Sequence, residues 1–351
     1  MKKLIKNKYA NFYLNAADAL GLKYTILNKK IGLVRIFNET TKLDISSNVL
    51  SVNSQLSSSL SSNKVKTSTL LQAGDIPAPT FKTFRKVSKA TDYALEKLEN
   101  KKLVVIKPIN GSLSIGITVN PSSVSQINSA VEEAFVGNSS IMIEEYIRGR
   151  HFRVTVLDGT IIAITERLAA NVTGNGKSTV VKLIEQKNIQ REKNNLPAIF
   201  LRPKDLDYLK KEKIELSKIY PEGVLITLQL GCNLDIGGER VRIDKDLVPE
   251  INNQLFAKAA KALGLRFAGI DYITPDIMTP HTKIVTAINE INSAPDLDVH
   301  YRDSTPNDNY AAIGILTKIF SQKIIVGKEK LTPLPFTQQV LVTAAKNIQT
   351  N

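Results

Sequence analysis

Residues 269–274 read GIDYIT and residues 288–295 read INEINSAP, and these two stretches decide the architecture. Asp271 stands inside an otherwise apolar, β-prone run, where an unpaired carboxylate is costly. Glu290 and Asn292 sit two residues apart in a second such run, so their side chains project from one face of a strand. One Asp, one Glu and one Asn converging offer the hard oxygen ligands that Mg2+ bound to a polyphosphate requires. The same trio also suits a hydrogen-bonded polar cluster in a core, and the residues alone leave both readings open.

Working outward, NNQLFAKAAKALG (252–264) has helical spacing and separates these strands from an earlier one, VLITLQL (224–230). Further upstream RVTVLDGTIIAITERLAA (153–170) reads as two hairpin strands around Asp158-Gly159. Before that come a helix near 88–100, strand LVVIKP, a helix near 122–135 and strand SIMIEEYI. The N-terminal part offers a helix over 11–22 and two short alternating strands. Ten serines between Ser46 and Ser68 suit a flexible linker, yet Leu50, Leu56 and Leu60 keep an apolar rhythm, and KVKTSTLLQAGDIPAP predicts a helix stopped by Gly74. The charged stretch 182–220 predicts a solvated helix face. This pattern is α+β with antiparallel sheets around a cleft, not a doubly wound parallel sheet.

Composition narrows the chemistry. The 351 residues carry 47 Lys and Arg against 33 Asp and Glu, a net charge of +14, which suits an anionic partner. A single cysteine, Cys232, excludes a disulfide framework and a cysteine zinc cluster, and three scattered histidines argue against an all-His metal site. The basic N-terminus has no signal-peptide core, and no stretch approaches membrane-spanning length, so a cytoplasmic protein is expected.

Two loops invite a phosphate. KPINGSLSIG (107–116) is a strand ending in Lys107 followed by small residues with Gly111 and Gly116, a form able to fold its amides over phosphate oxygens. GNGKST (174–179) lacks the first glycine of a P-loop, since Asn171 stands there, and is read as a surface loop that opens no helix. EEYIRGRHFR (144–153) adds Arg148, Arg150 and Arg153 after a strand, and Arg167 follows another; guanidinium forks suit carboxylate or phosphate.

Taken in order, NKVKTSTLLQAGDIPAP, VVIKPINGSLSIG, MIEEYIRGRHFRV, GIDYIT and INEINSAP resemble the ATP-grasp superfamily over roughly residues 50–315. ITERLAANVTGNGKSTVVKLIEQKN and CNLDIGGE look nearer still to the ATP-grasp module of cyanophycin synthetases, with the similar domain of fused glutathione-making enzymes second. The resemblance implies an ATP-grasp fold: two α+β lobes gripping ATP in a cleft, behind a short N-terminal α/β domain. The implied divisions are 1–62 for that domain, 63–140 for the small lobe, 141–325 for the large lobe with its insert at 182–220, and a tail at 326–351.

It further implies that Lys64 and Lys107 meet the nucleotide phosphates under a flap at 110–116 containing Gly111, Ser112 and Gly116. Glu144, Glu145 and Ile147 correspond to the adenine hinge, and His151 stands where a carboxylate commonly holds the ribose. Asp271, Glu290 and Asn292 match the Mg2+ ligands, with Mn2+ as substitute. Arg153, Arg167 and the Asn233, Gly237, Gly238 turn would face an acyl phosphate. Gln229 replaces a phosphate-binding Arg, and the flap carries fewer glycines than usual. The second ATP-using domain of cyanophycin synthetases is not in this chain, so making the whole polymer is not expected of it alone.

The activity implied is ADP-forming ligation of a small-molecule or peptide carboxylate, acidic by preference, to an amine. Neither nucleic acid nor membrane is an expected partner, and a homo-oligomer is compatible with the sequence. One rival is a degenerate domain that binds nucleotide or acidic peptide without turnover. The other is a basic nucleic-acid binder, which 6% aromatics and the absence of Trp disfavour.

Overall fold

A computed structural model describes residues 4–109, 116–194, 196–232, 234–301 and 309–321. Helix α1 (Lys8–Ala19) begins at Asn7, whose side chain accepts the Ala10 amide proton. Strands β1 (Lys23–Asn28), β2 (Leu33–Phe37), β3 (Lys42–Ser46) and β4 (Val49–Leu50) form an antiparallel meander in that order. Alternation in LVRIF and KLDIS buries Val34, Ile36, Leu43 and Ile45 and leaves Arg35 and Asp44 outside.

The serine-rich interval is helical rather than a linker. It supplies α2 (Gln55–Ser61) and leads to α3 (Lys64–Ala73), which ends at Gly74 as expected. The side chains of Ser54 and Asn63 accept the amides of Ser57 and Lys66, so the short polar residues act as helix caps.

Strands β5 (Phe81–Phe84), β6 (Val104–Pro108), β7 (Thr118–Val119) and β8 (Ile141–Glu145) make a second sheet in the order β5-β8-β6-β7. Helices α4 (Val87–Glu99) and α5 (Val124–Phe135) cover one face around Ile106, Ile127, Val131 and Ile143. Segment 141–145, read from sequence as the opening of the large lobe, pairs with β5 and β6 and lies in this sheet instead.

The third sheet contains β9 (Arg150–Leu157), β10 (Thr160–Leu168), β13 (Glu239–Ile243), β14 (Phe267–Thr274) and β15 (Ala287–Asn292), ordered β13-β10-β9-β14-β15 and antiparallel throughout. Between β10 and β13 come the ribbon β11 (Asn171–Thr173) and β12 (Leu225–Thr227), with α6 (Val180–Lys193) and α7 (Pro203–Lys211). The charged stretch is therefore more than a solvated face: Leu183, Ile199 and Leu209 close a small core with Val172, Ile226 and Leu228. Helix α8 (Glu250–Ala262) packs on the side of the sheet formed by Phe152, Val154, Ile270 and Tyr272. At the β9–β10 hairpin Asp158 and Gly159 have φ of 47° and 71°, the left-handed pair that a tight two-residue turn requires.

Helix α9 (Tyr310–Ser321) and the N-terminal module share one core, where Phe12, Tyr13 and Leu14 meet Leu157, Phe267, Ala312 and Ile315. The junction is also polar. Asn53 donates to the carbonyls of Phe267 (2.7 Å) and Ser293 (2.9 Å) and accepts the amides of Arg266 (2.9 Å) and Phe267 (3.0 Å). Among the described residues no helix is long and apolar enough to cross a membrane. Asn53→Ala strands several of these backbone groups and is expected to cost about 1–3 kcal/mol in urea unfolding; a change below ~0.5 kcal/mol would show the junction to be apolar in its energetics.

Candidate functional site

The site is a consequence of strand register. Arg153 on β9 stands opposite Asp271 on β14, and Asp271 stands opposite Glu290 on β15. Directly opposed residues share a face, so all three project away from α8. Thr165 is the β10 partner of Arg153, and Arg167 follows on the same face. INEI carries its isoleucines three apart, which a regular strand would send to opposite sides. The ladder slips by one residue at Asn289, so Ile288 and Ile291 both reach the α8 core while Glu290 and Asn292 keep the site face.

Asp271 is 7% exposed. Burial alone would raise its carboxyl, but Arg153 Nε at 2.6 Å and Arg167 Nη2 at 3.0 Å hold it below the ordinary carboxylate range. Two guanidiniums therefore supply the counter-charge to Asp271. The donor set itself fits a hard cation, being two carboxylates and an amide oxygen on adjacent strands facing one side. Among the described residues no three His, Cys, Asp or Glu side chains form a metal cage.

The opposite wall comes from the small sheet. Lys107 and Glu144 lie on the face of β6 and β8 turned away from α4 and α5, and their side chains, each 5% exposed, pair at 2.5 Å. Lys64 is the first residue of α3, which packs on β15. Burial lowers its ammonium, with Glu290 and Glu144 opposing that shift and Lys107 reinforcing it. Lys64 thus feels Glu290, Lys107 and Glu144, residues far from it in sequence. Glu144 directs its carboxylate at Lys107, whereas Glu145 receives the Thr80 hydroxyl at 3.0 Å and Ile147 is half-buried in the connection to β9.

Other expectations fare differently. Arg150 is engaged elsewhere, gripping Glu166 with two bonds of 2.6 Å, and Arg148 is exposed. His151 is the cross-strand partner of Arg167; burial lowers its imidazole, Arg167 adds to that, and Asp271 partly offsets it. Gln229 is fully buried and donates to the Phe200 carbonyl at 2.8 Å. Gly237 has φ of 101°, and a Cβ there would come within 2.8 Å of Ile199, so the turn into β13 needs glycine. Gly238 offers its carbonyl to buried Arg191 at 3.4 Å. Gly116 has φ of 66° and closes on Pro108. Gly111, Ser112, Asn233 and flap positions 110–115 lie outside the described residues, as does the tail.

The loop 174–179 does open a helix, contrary to expectation, but its amides are used internally. Those of Lys177 and Ser178 go to Asn175 Oδ1 (3.0 and 2.8 Å), that of Gly176 to the Tyr220 carbonyl (3.0 Å), and that of Lys182 to Thr179 Oγ1 (3.3 Å). Cys232 lies near Arg167; burial pushes its thiol up, Arg167 opposes, and Glu166 adds.

One residue on this face has no sequence signature. His300 is 3% exposed, with Nε2 2.6 Å from Thr155 Oγ1 and Nδ1 2.8 Å from Thr165 Oγ1. Burial pushes its pKa down to about 3, with Arg153 and Arg240 adding to the shift.

Comparison with known proteins follows the same geometry. Residues 70–196 match the family described as D-ala D-ala ligase C-terminus. A bifunctional glutathione synthetase from Pasteurella multocida superposes with a TM-score of 0.63 at 25% identity, over 89% of this chain and 43% of that one. The chain has the ATP-grasp fold. By sequence, cyanophycin synthetase of Synechocystis sp. is 29% identical over 313 residues, covering 87% of this chain and 35% of the relative. The glutathione biosynthesis bifunctional protein GshAB of Streptococcus mutans is 29% identical over 291 residues, covering 80% and 38%. This ATP-grasp chain spans about a third of the length of the curated relatives it matches.

Two outcomes are expected. Lys107→Met leaves Glu144 buried and unpaired and is expected to destabilise the ligand-free protein by about 3–5 kcal/mol, with Lys107→Met/Glu144→Leu recovering most of it; equal denaturation midpoints for the two variants would count against a buried ionised pair. For His300 the unfolded chain takes up a proton near pH 6.5 and the folded chain only near pH 3, so its contribution is complete above pH 6.5 and declines as pH falls. Between pH 6.5 and 5 that loss is about 2 kcal/mol. Calorimetry of His300→Gln is expected to show a flatter dependence there than the parent, in which His151 and His281 also contribute.

Proposed function

We propose that this chain is an ATP-dependent carboxylate–amine ligase. The observation that carries the reading is the cluster of Arg153 and Arg167 on Asp271 with Glu290 opposite it, beside the β15 strand on which α3 and its first residue, Lys64, pack. Oxygen donors for a metal thereby adjoin guanidiniums for an acyl anion, and the buried Lys107–Glu144 pair of the small sheet adds a cation for a triphosphate. Lys107 and Lys64 would hold the phosphates. Asp271, Glu290 and Asn292 would hold Mg2+, which when bound supplies charge neutralisation.

In this reading a substrate carboxylate oxygen attacks the γ-phosphorus and ADP departs with the bridging oxygen. An amine then attacks the acyl carbon, loses a proton and expels phosphate, leaving an amide. Arg153 and Arg167 stabilise the anion in both steps. With Arg240 and Arg242 on the neighbouring strand, this face is rich in guanidinium groups, which favours an acidic amino acid or peptide carboxylate. No side-chain nucleophile is required.

A second reading, nucleotide binding without turnover, draws on the prior engagement of Asp271 by two arginines. One experiment separates them: a screen of amino acids and dipeptides for phosphate release, with the nucleotide product identified. The ligase reading expects ADP, and a loss of at least about a hundredfold in Asp271→Asn and in Glu290→Gln. AMP as product, or full activity in both variants, would overturn it; tight Mg-ATP binding with no turnover across the screen would favour the second reading.

A further inference from the structure

We infer that His300 and Pro295 are positioning residues for Arg153, and that residues 293–301 form a strap through which the N-terminal module sets the direction of that guanidinium. After β15 the chain turns back across the site face of the sheet. At its start Pro295 lies over Gly269. A Cβ at Gly269 would collide with Pro295 and lie 3.0 Å from Arg153 Nη1, so strap and guanidinium both close on a strand position that only glycine can leave bare. At its end His300 bridges Thr155 and Thr165. The first is two residues beyond Arg153 on β9, and the second is its partner on β10. One ring nitrogen accepts and the other donates, so a neutral imidazole orients the two hydroxyls in opposite senses. Depression of its pKa to about 3 keeps a third cation away from Arg153 and Arg240.

The outer side of the strap is held from the N-terminal module. Asn48 donates to the Ala294 carbonyl and to Asp296 Oδ1, both at 2.8 Å. Asn53 holds Ser293, Lys8 reaches Asp298 at 2.8 Å, and Phe12 stacks on Tyr301 with ring centroids 4.3 Å apart. Arg240 on β13 donates to the carbonyls of Asp298 and Tyr301. With Nε on Asp271 and Nη1 beside the bare Gly269 position that Pro295 covers, Arg153 is held on two sides.

The test uses the full chain with 15N-labelled arginine. The buried Nε–H of Arg153, donated to Asp271, gives a slowly exchanging resonance identified by its loss in Arg153→Lys. In His300→Ala that proton is expected to exchange at least tenfold faster, while the Nε–H groups of Arg150 and Arg191 stay unchanged. His300→Asn, still able to bond a hydroxyl, is expected to restore part of the protection. Asn48→Ala acts on the strap from the far side and is expected to shift the same resonance in the same direction. Unchanged exchange of Arg153 in both His300→Ala and Asn48→Ala, or equal loosening of all three arginines, would overturn the inference. Its bearing on catalysis rests on the ligase reading: with the acceptor pair found by the screen, kcat is expected to fall about ten- to a hundredfold at unchanged KM for ATP. Altered Arg153 exchange with unaltered kcat would uphold the strap and remove Arg153 from the reaction.

Discussion

A carboxylate at the centre of a fully buried strand has to be neutralised inside the sheet, and the large lobe is arranged around that requirement. Asp271 is served from β9 and β10 at once, which fixes those strands in register with β14 and places Glu290 beside them from β15. Moving any of these strands by one residue would exchange the charged face for the core packed on α8. The bulge at Asn289 is the local adjustment that lets one short strand satisfy both faces. Packing and site chemistry are thus one specification, carried by the same ladder.

The sequence is most informative where an element contains its own evidence. Helix α3 with its Gly74 stop, the Asp158-Gly159 turn and the alternation of Glu290 with Asn292 are local patterns, and each has a local physical cause. What escaped is pairing. Nothing near residue 141 says that β8 joins β5 and β6, and nothing near Arg150 says that Glu166 waits opposite on the other face. Composition misled in the serine-rich interval, since caps and linkers favour the same residues. The charged residues of the site are legible as types; which of them neutralise one another depends on contacts such as Arg153 to Asp271, 118 positions apart. His300 shows the limit, because a lone histidine gains its meaning only from two threonines on strands it never neighbours in sequence.

The insert offers a contrast. Its helices carry a small core of their own, and its ties to the large sheet pass through a few polar contacts, among them Lys187 to Glu239 and Arg191 to Gly238. Such an element can vary in length and charge while β13 and β10 keep their register, because the apolar contacts that stabilise it are mostly internal. The N-terminal module is the reverse case, since the core between its helix and its strands continues without a break into Leu157, Phe267 and α9.

That shared core bears on the order in which the protein is made. Phe12 stacks on Tyr301, and its carbonyl receives the Asn309 side chain, a bond spanning 297 positions. Helix α1 leaves the ribosome among the first segments and finds β1 and β2 soon after, but the part of the module's core that meets Tyr301, Ala312 and Ile315 stays open until α9 has emerged. During that interval this apolar surface is exposed to every other chain in the vicinity. Contacts this distant slow the final docking step, because a long loop must close before that surface is covered. The nascent protein is therefore most vulnerable to association through the uncovered side of its N-terminal module, a surface that disappears once the fold is complete.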